Sequence, residues 1–217
     1  MKTEDLIVEL AGSSGPWTPL ASLRVRATRW LLLAFALCGV ALIAIGPRKD
    51  FLAAIQDPFF VAAAVVLIAV GLIAASAAFV LSVPGAERTS AWRVGAILLA
   101  VGWALMFVGR LIAGGDAWTR LAAFPNHWGC VSRITALSLL SGVALYVMLR
   151  RAAPLQRAWS SALATLAATG FAAAATHIMC PVDDPAHHIA SHVLPVTLLA
   201  IVGTVVGRRW LAGRVGS

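Results

Sequence analysis

A chain of 217 residues that is 60% hydrophobic and only 12% charged lies far from the balance of a soluble domain. Its formal net charge of +8 would suit a nucleic-acid partner, but the basic residues sit in small groups between apolar runs, which is the distribution of membrane topology signals. Composition therefore excludes an ordinary soluble domain, argues against direct contact with nucleic acid, and leaves an integral membrane protein.

The first residues, "MKTEDLIVELAG", read as a short amphipathic helix with Thr3 as N-cap, Glu4 and Asp5 in the first turn, and Gly12 as the stop. Leu6, Ile7 and Leu10 make an apolar stripe on it. Helices that lie on anionic lipid usually carry Lys or Arg on the polar face, whereas this one carries Glu4, Asp5 and Glu9. A protein partner that takes the stripe into a groove explains that composition better. The following "SSGPWTPLAS" is a Gly/Pro-rich connector. The first 29 residues have no cleavable-signal pattern, so the first apolar run is expected to stay in the mature protein.

A helix rising about 1.5 Å per residue needs about 20 apolar residues to cross a hydrocarbon core roughly 30 Å thick. Six stretches qualify, at 27–45, 58–83, 92–113, 131–149, 159–179 and 189–206. Turn-like separators divide them: "GPRKD", "VPGAERTS", "GGDAWTRLAAFPNHWGC", "RRAAPLQR" and "CPVDDPAHH". "FLAAIQ", ahead of the second run, is expected at the interface. The fold class is an all-α integral membrane protein, a six-transmembrane-helix bundle. Its expected divisions are a cytoplasmic arm at 1–26, a membrane domain at 27–207 and a basic tail at 208–217.

An even number of spans puts both termini on one side. That side carries 12 Lys and Arg residues and the other carries 5, so the positive-inside rule predicts that both termini are cytoplasmic. All five histidines and two of the three cysteines then fall at the outer face. The segment "THIMCPVDDPAHHIASH" alone holds four of those histidines.

Cys130 begins the fourth span and Cys180 follows the fifth, with a short inner loop between the two helices. Antiparallel neighbours of nearly equal length bring both sulfurs to one depth. Bridging needs Cα atoms roughly 4.4–6.8 Å apart, so both thiols must lie on the contact face. The small side chains of "FAAAA", 171–175, permit such an approach. Three chemistries stay open for the pair: a structural disulfide, a switchable thiol pair, and a metal site. Arg133, one helical turn beyond Cys130, favours thiolate and so reactivity. Two copies of one spacing, His127-x-x-Cys130 and His177-x-x-Cys180, suit Cys₂His₂ coordination of Zn²⁺, while thiolate with the Met179 thioether suits Cu(I).

His188 and His192 add an i, i+4 pair to this metal set, and Pro195 leaves the Ser191 carbonyl without its helical donor. His177, just inside the end of an apolar helix, needs a partner. His187 reads as an interface imidazole. Asp183 and Asp184 either hydrate the turn or attract a cation, and Cys38, in the middle of the first span, reads as a small buried hydrophobe.

"TEDLI", "VPG", Cys130, "CPVDDPAHH" with His192, and "GRRWL", in this order along six hydrophobic runs, resemble the bacterial NrsF-like membrane regulators, named for negative regulation of a sigma-F type sigma factor. The resemblance implies an inner-membrane anti-sigma factor, not an enzyme. Such a protein holds an extracytoplasmic-function sigma factor until heavy metal or oxidant reaches a periplasmic cysteine pair, which maps to Cys130 and Cys180. It places sigma binding on the N-terminal arm or the inner loops, with Glu4, Asp5, Leu6, Ile7 and Leu10 of the arm as the expected contacts. Two other classes fit the composition. A membrane thiol-disulfide oxidoreductase would need a second cysteine pair and a quinone, and a metal transporter would need polar groups continued across the membrane. Bis-histidine haem ligation is a fourth reading.

Overall fold

A computed structural model describes residues 3–13, 20–83, 90–115, 119, 128–152 and 154–212. Among these, the elements are all helical: α1 (Thr3–Ser13), α2 (Leu23–Ile45), α3 (Phe51–Ala54), α4 (Pro58–Val80), α5 (Ser90–Ala113), α6 (Trp128–Arg150), α7 (Arg157–Met179), α8 (Pro185–His188), a π-helical turn (Ile189–Val193) and α9 (Leu194–Ala212). Six helical stretches are long and apolar enough to cross a membrane, the last formed by α8, the π turn and α9 together. The third expected separator lies mostly outside the described residues. "FLAAIQ" forms the short α3 and its following turn.

The ends of these helices follow local chemistry. Asp57 accepts a hydrogen bond from the Phe59 amide at 2.9 Å ahead of Pro58, and Asp184 does the same for Ala186 at 2.8 Å ahead of Pro185. Each is an acidic N-cap followed by a proline whose missing N–H costs nothing at a helix start. Gly46 closes α2 at φ +86°, a left-handed conformation that glycine adopts without a Cβ clash, and donates to the Leu42 carbonyl. The last span extends to Ala212, so the 207/208 division falls within one helix.

The bundle is assembled around α7. Its span is 83% buried, against 11% for α2, although its hydropathy of 1.4 is the lowest of the six. Burial among helices therefore follows side-chain size here. α7 is rich in Ala, Ser, Thr and Gly, which lets α2, α4, α6 and α9 all pack on it. The tightest approach is to α4. A Cβ on Gly170 would stand 3.0 Å from the Gly71 amide nitrogen and 3.1 Å from the Leu67 carbonyl oxygen, so the two backbones touch where both residues are glycine. Large apolar side chains point away from the bundle instead, among them Leu32, Ile43, Leu98, Leu140 and Ile201. Such an exterior fits a hydrocarbon solvent.

Alternation of the spans puts residues 46–57 and 180–184 at one end of the bundle. Residues 81–83, 150–152, 154–157 and the end of α9 lie at the other. At this second end Arg26 donates to the Met148 carbonyl at 2.9 Å, Arg93 donates to Gln156 at 2.8 Å, and Arg150 lies over the Trp210 ring. These ties join helix ends that the sequence separates by as many as 122 residues.

Candidate functional site: a thiol and imidazole cluster at one end of the bundle

Cys130 lies in the first turn of α6, and Cys180 caps the C-terminus of α7. Both are buried and free, and their sulfurs stand 3.5 Å apart, as the equal lengths of the two helices anticipate. Forming a disulfide requires that separation to close to about 2.05 Å. Cys180 Sγ also lies 3.2 Å from His187 Nε2. The Cys130 sulfur beside it, and then burial, push the Cys180 thiol upward, so this sulfur keeps its proton near neutrality until something displaces it.

The chain beyond Cys180 brings histidines back over the thiols. α8 turns His187 and His188 inward, and the π turn that follows adds His192. The Leu194 amide donates to the Ile189 carbonyl, an i to i+5 bond characteristic of a π turn, immediately before Pro195. The proline was expected to disturb this helix; the observed form is a widened turn upstream of it. One thiol or ring-nitrogen atom each from Cys130, Cys180, His187 and His192 falls within 4.8 Å of the other three. His192 is fully buried, and neither of its ring nitrogens has a hydrogen-bond partner among the described residues.

The remaining expected ligands are placed differently. His177 Nε2 lies 3.2 Å from the Phe60 carbonyl oxygen, to which it donates, and its Nδ1 lies 3.2 Å from His188 Nε2. His188 Nδ1 stands 3.2 Å from the Asp184 carbonyl oxygen. His177 stacks on Phe60 and His188 on Phe107, so the two rings form a second, separately bonded pair. The spacing His177-x-x-Cys180 suggested one shared face, but that geometry needs the helix to run through Cys180. It ends at Met179, and Cys180 is extended, with φ −83° and ψ 121°. His127 lies outside the described residues. His187, read from sequence as an interface imidazole, stands 3.2 Å from the Cys180 sulfur and joins the expected His192 beside the thiols; its signal is position seven residues beyond Cys180, after a turn whose path is set by Asp184 and Pro185.

A salt-bridged clamp covers this end. Arg48, with its side chain 2% exposed, makes paired contacts to Asp50 and to Asp183, including 2.7 Å from its terminal nitrogen to each carboxylate. Its guanidinium lies over the Phe60 ring, and its amide donates to the Ile178 carbonyl at 3.1 Å. Hydrogen bonds to Asp183 first and then Asp50 hold the Arg48 proton more tightly than usual, and Arg48 in turn pulls both carboxylates below their ordinary range. In the sequence Arg48 registers only as a charge in the topology count. The residue joins the loop after α2 to the Cys180 loop.

At the far end of the chain, every described side chain of α1 is exposed, including Leu6, Ile7 and Val8; nothing is described of the Leu10 side chain.

These features define a polytopic six-span helical membrane protein that buries a pair of free thiols with imidazoles at one end and exposes an apolar stripe near its N-terminus. The family described as "NrsF: Negative regulator of sigma F" matches residues 10–212, nearly the whole length, and the chain belongs to that family. The protein is accordingly a negative regulator of a sigma factor, in keeping with a non-enzymatic role and a sigma-factor partner. No curated protein and no solved structure matches it at a significant level.

Proposed function

We propose that this protein is an inner-membrane anti-sigma factor, with both termini cytoplasmic, that sequesters an extracytoplasmic-function sigma factor and releases it when heavy metal or oxidant reaches Cys130 and Cys180. The observation that carries this reading is the 3.5 Å approach of two free, buried thiols at one end of a bundle in the sigma F regulator family. Oxidation would join the two sulfurs. Both protons leave and two electrons pass to the oxidant, so either signal removes the same two S–H groups.

Sigma binding is assigned to α1. Its exposed Leu6, Ile7 and Val8 suit a hydrophobic groove, and Glu4, Asp5 and Glu9 suit a basic rim. Most of this stripe precedes residue 10, where the family match begins, so its assignment rests on its own exposure and composition. The 12 to 5 division of basic residues supports cytoplasmic termini.

Transmission to the inner side is assigned to α7. It carries Cys180 at one end and packs against α2, which follows the arm in the chain. Moving a two-state equilibrium from 1:99 to 99:1 takes about 5.5 kcal/mol of differential stabilisation, a scale within reach of a metal–thiolate site, while a new disulfide contributes about 2–4 kcal/mol towards it.

The decisive experiment is a sigma-dependent reporter in cells carrying Cys130→Ser or Cys180→Ser. Each variant should stay repressed under cadmium or a thiol oxidant while still co-purifying the sigma factor, and normal induction in both would overturn the assignment. In parallel, Ile7→Asp should weaken co-purification at least tenfold and derepress without any signal. Alkaline phosphatase fused after Ala212 should be inactive if the tail is cytoplasmic.

A further inference from the structure

The cluster at the thiol end combines three observations that a simple dithiol does not require. First, two sulfurs and two imidazoles converge from three segments of chain, α6, the end of α7, and the α8 and π-turn segment, with their ligand atoms within 4.8 Å of one another. Second, the sulfur separation of 3.5 Å is close to the edge of a metal-centred tetrahedron. With metal–sulfur bonds of about 2.3 Å and metal–nitrogen bonds of about 2.0–2.1 Å, those edges run from about 3.3 to 3.8 Å. Contraction by about 1 Å at the widest pair completes such a site, a distance within the swing of an imidazole ring. Third, His192 is wholly buried with both ring nitrogens unpartnered, a costly arrangement that a coordinate bond resolves at one nitrogen.

Charge and ligand type narrow the ion. Two thiolates and two neutral imidazoles carry a charge of −2, which one dication cancels, as a buried site requires. The nearby Arg48 is already engaged by Asp50 and Asp183. An S₂N₂ tetrahedron is the preference of a d¹⁰ divalent ion. His177 and His188 fall outside this group of mutually close ligand atoms, and their facing ring nitrogens stand 3.2 Å from each other instead.

We propose that Cys130, Cys180, His187 and His192 form a Cys₂His₂ site for one tetrahedral divalent cation of the zinc and cadmium class. The proposal deepens the reading of the two cysteines as the receiving site by adding two specific histidines and a defined stoichiometry. Binding releases one proton from each thiol, and the bound thiolates are then withheld from disulfide formation until the metal leaves. Metal and oxidant thus compete for one pair of sulfurs.

The test uses the full-length protein in detergent with its thiols reduced, titrated with Co²⁺ as a spectroscopic probe. One Co²⁺ per chain should bind with the visible bands of a tetrahedral ion and a thiolate charge-transfer band, and Zn²⁺ or Cd²⁺ should displace it. His187→Ala and His192→Ala should each weaken binding at least tenfold and shift the bands, while His177→Ala and His188→Ala should retain the wild-type spectrum. Independently of any variant, Zn²⁺ should slow alkylation of Cys130 and Cys180 at least tenfold and leave Cys38 unaffected. Absence of a tetrahedral spectrum, absence of protection, or full-affinity binding by both His187→Ala and His192→Ala would each overturn the site. Since induction by oxidant is read in cells with the Cys→Ser variants, loss of the metal site leaves the dithiol reading standing and is distinguishable from its failure.

Discussion

At the end of the bundle nearer the chain termini, buried hydroxyls on α7 turn back onto their own helix. Ser161 donates to Arg157, Thr165 to Ser161 and Thr169 to Thr165, each to the carbonyl four residues back at 2.7–2.9 Å. Tyr146 from α6 adds its hydroxyl there, 2.8 Å from the Ser161 carbonyl and 2.7 Å from that of Gly203, and so ties α6, α7 and α9. At the thiol end, by contrast, thiols and imidazoles face one another, and the His192 imidazole has no hydrogen-bond partner among the described residues. Ser138, Ser160, Ser191, Trp103 and Arg150 also each bury one atom without a partner among the described residues. Each does so at a single atom, whereas His192 buries both of its ring nitrogens. The difference separates polar groups that assemble the bundle from polar groups held ready for something else.

The two regions should respond to substitution in opposite ways. The largest effect is expected at the thiols, where Cys130→Ser or Cys180→Ser removes induction entirely and leaves thermal stability nearly unchanged. A reporter assay beside a melting curve in detergent reads both. Conversely, Gly170→Leu forces a side chain into the Gly71 and Leu67 backbone of α4. It should cost at least about 1–3 kcal/mol of stability, seen as a lowered melting temperature, without altering thiol chemistry.

Tyr146→Phe sharpens the contrast at smaller cost. Interhelical hydrogen bonds in membranes average about 0.6 kcal/mol, so the variant should melt slightly earlier and induce normally. The smallest effect is expected at the clamp, where Asp50 and Asp183 are more than half exposed and solvent screens their attraction to Arg48. Arg48 lowers both carboxylates, so the clamp contributes fully above their ordinary value of about 3.9 and loses that contribution as pH falls through the depressed folded values. Arg48→Gln should therefore be slightly less stable than the wild type at pH 7, with the gap constant down to about pH 4 and closing only as pH falls further, through the depressed folded values. A gap that persists unchanged in acid would assign Arg48 a packing role over Phe60 instead.

Six spans, their order and the meeting of Cys130 with Cys180 were legible before any coordinates, because hydropathy counts the crossings and equal helix lengths equate depths. Burial of "FAAAA" followed from side-chain size. The centrality of α7 did not follow from hydropathy, which ranks it last, since helices immersed in lipid sort by how closely backbones can approach. Of the histidines beside the thiols, His192 was expected from its spacing, whereas the exchange of His177 for His187 was hidden for a different reason. An i, i+3 rule assigns His177 to Cys180, and it fails where the helix ends one residue too soon.

Periodicity and hydropathy are local properties, so the sequence by itself determined the six helices long and apolar enough to cross a membrane and the end of the bundle at which sulfur and imidazole collect. Ring orientation is not local. Whether His177, His187, His188 or His192 points at the thiols depends on the extended Cys180 cap, the acidic N-cap at Asp184 and a π turn ahead of Pro195. Only the packed tertiary structure decided these, because each rotates a side chain by a fraction of a helical turn, which moves a ligand atom by several ångströms and leaves the hydrophobic pattern unchanged.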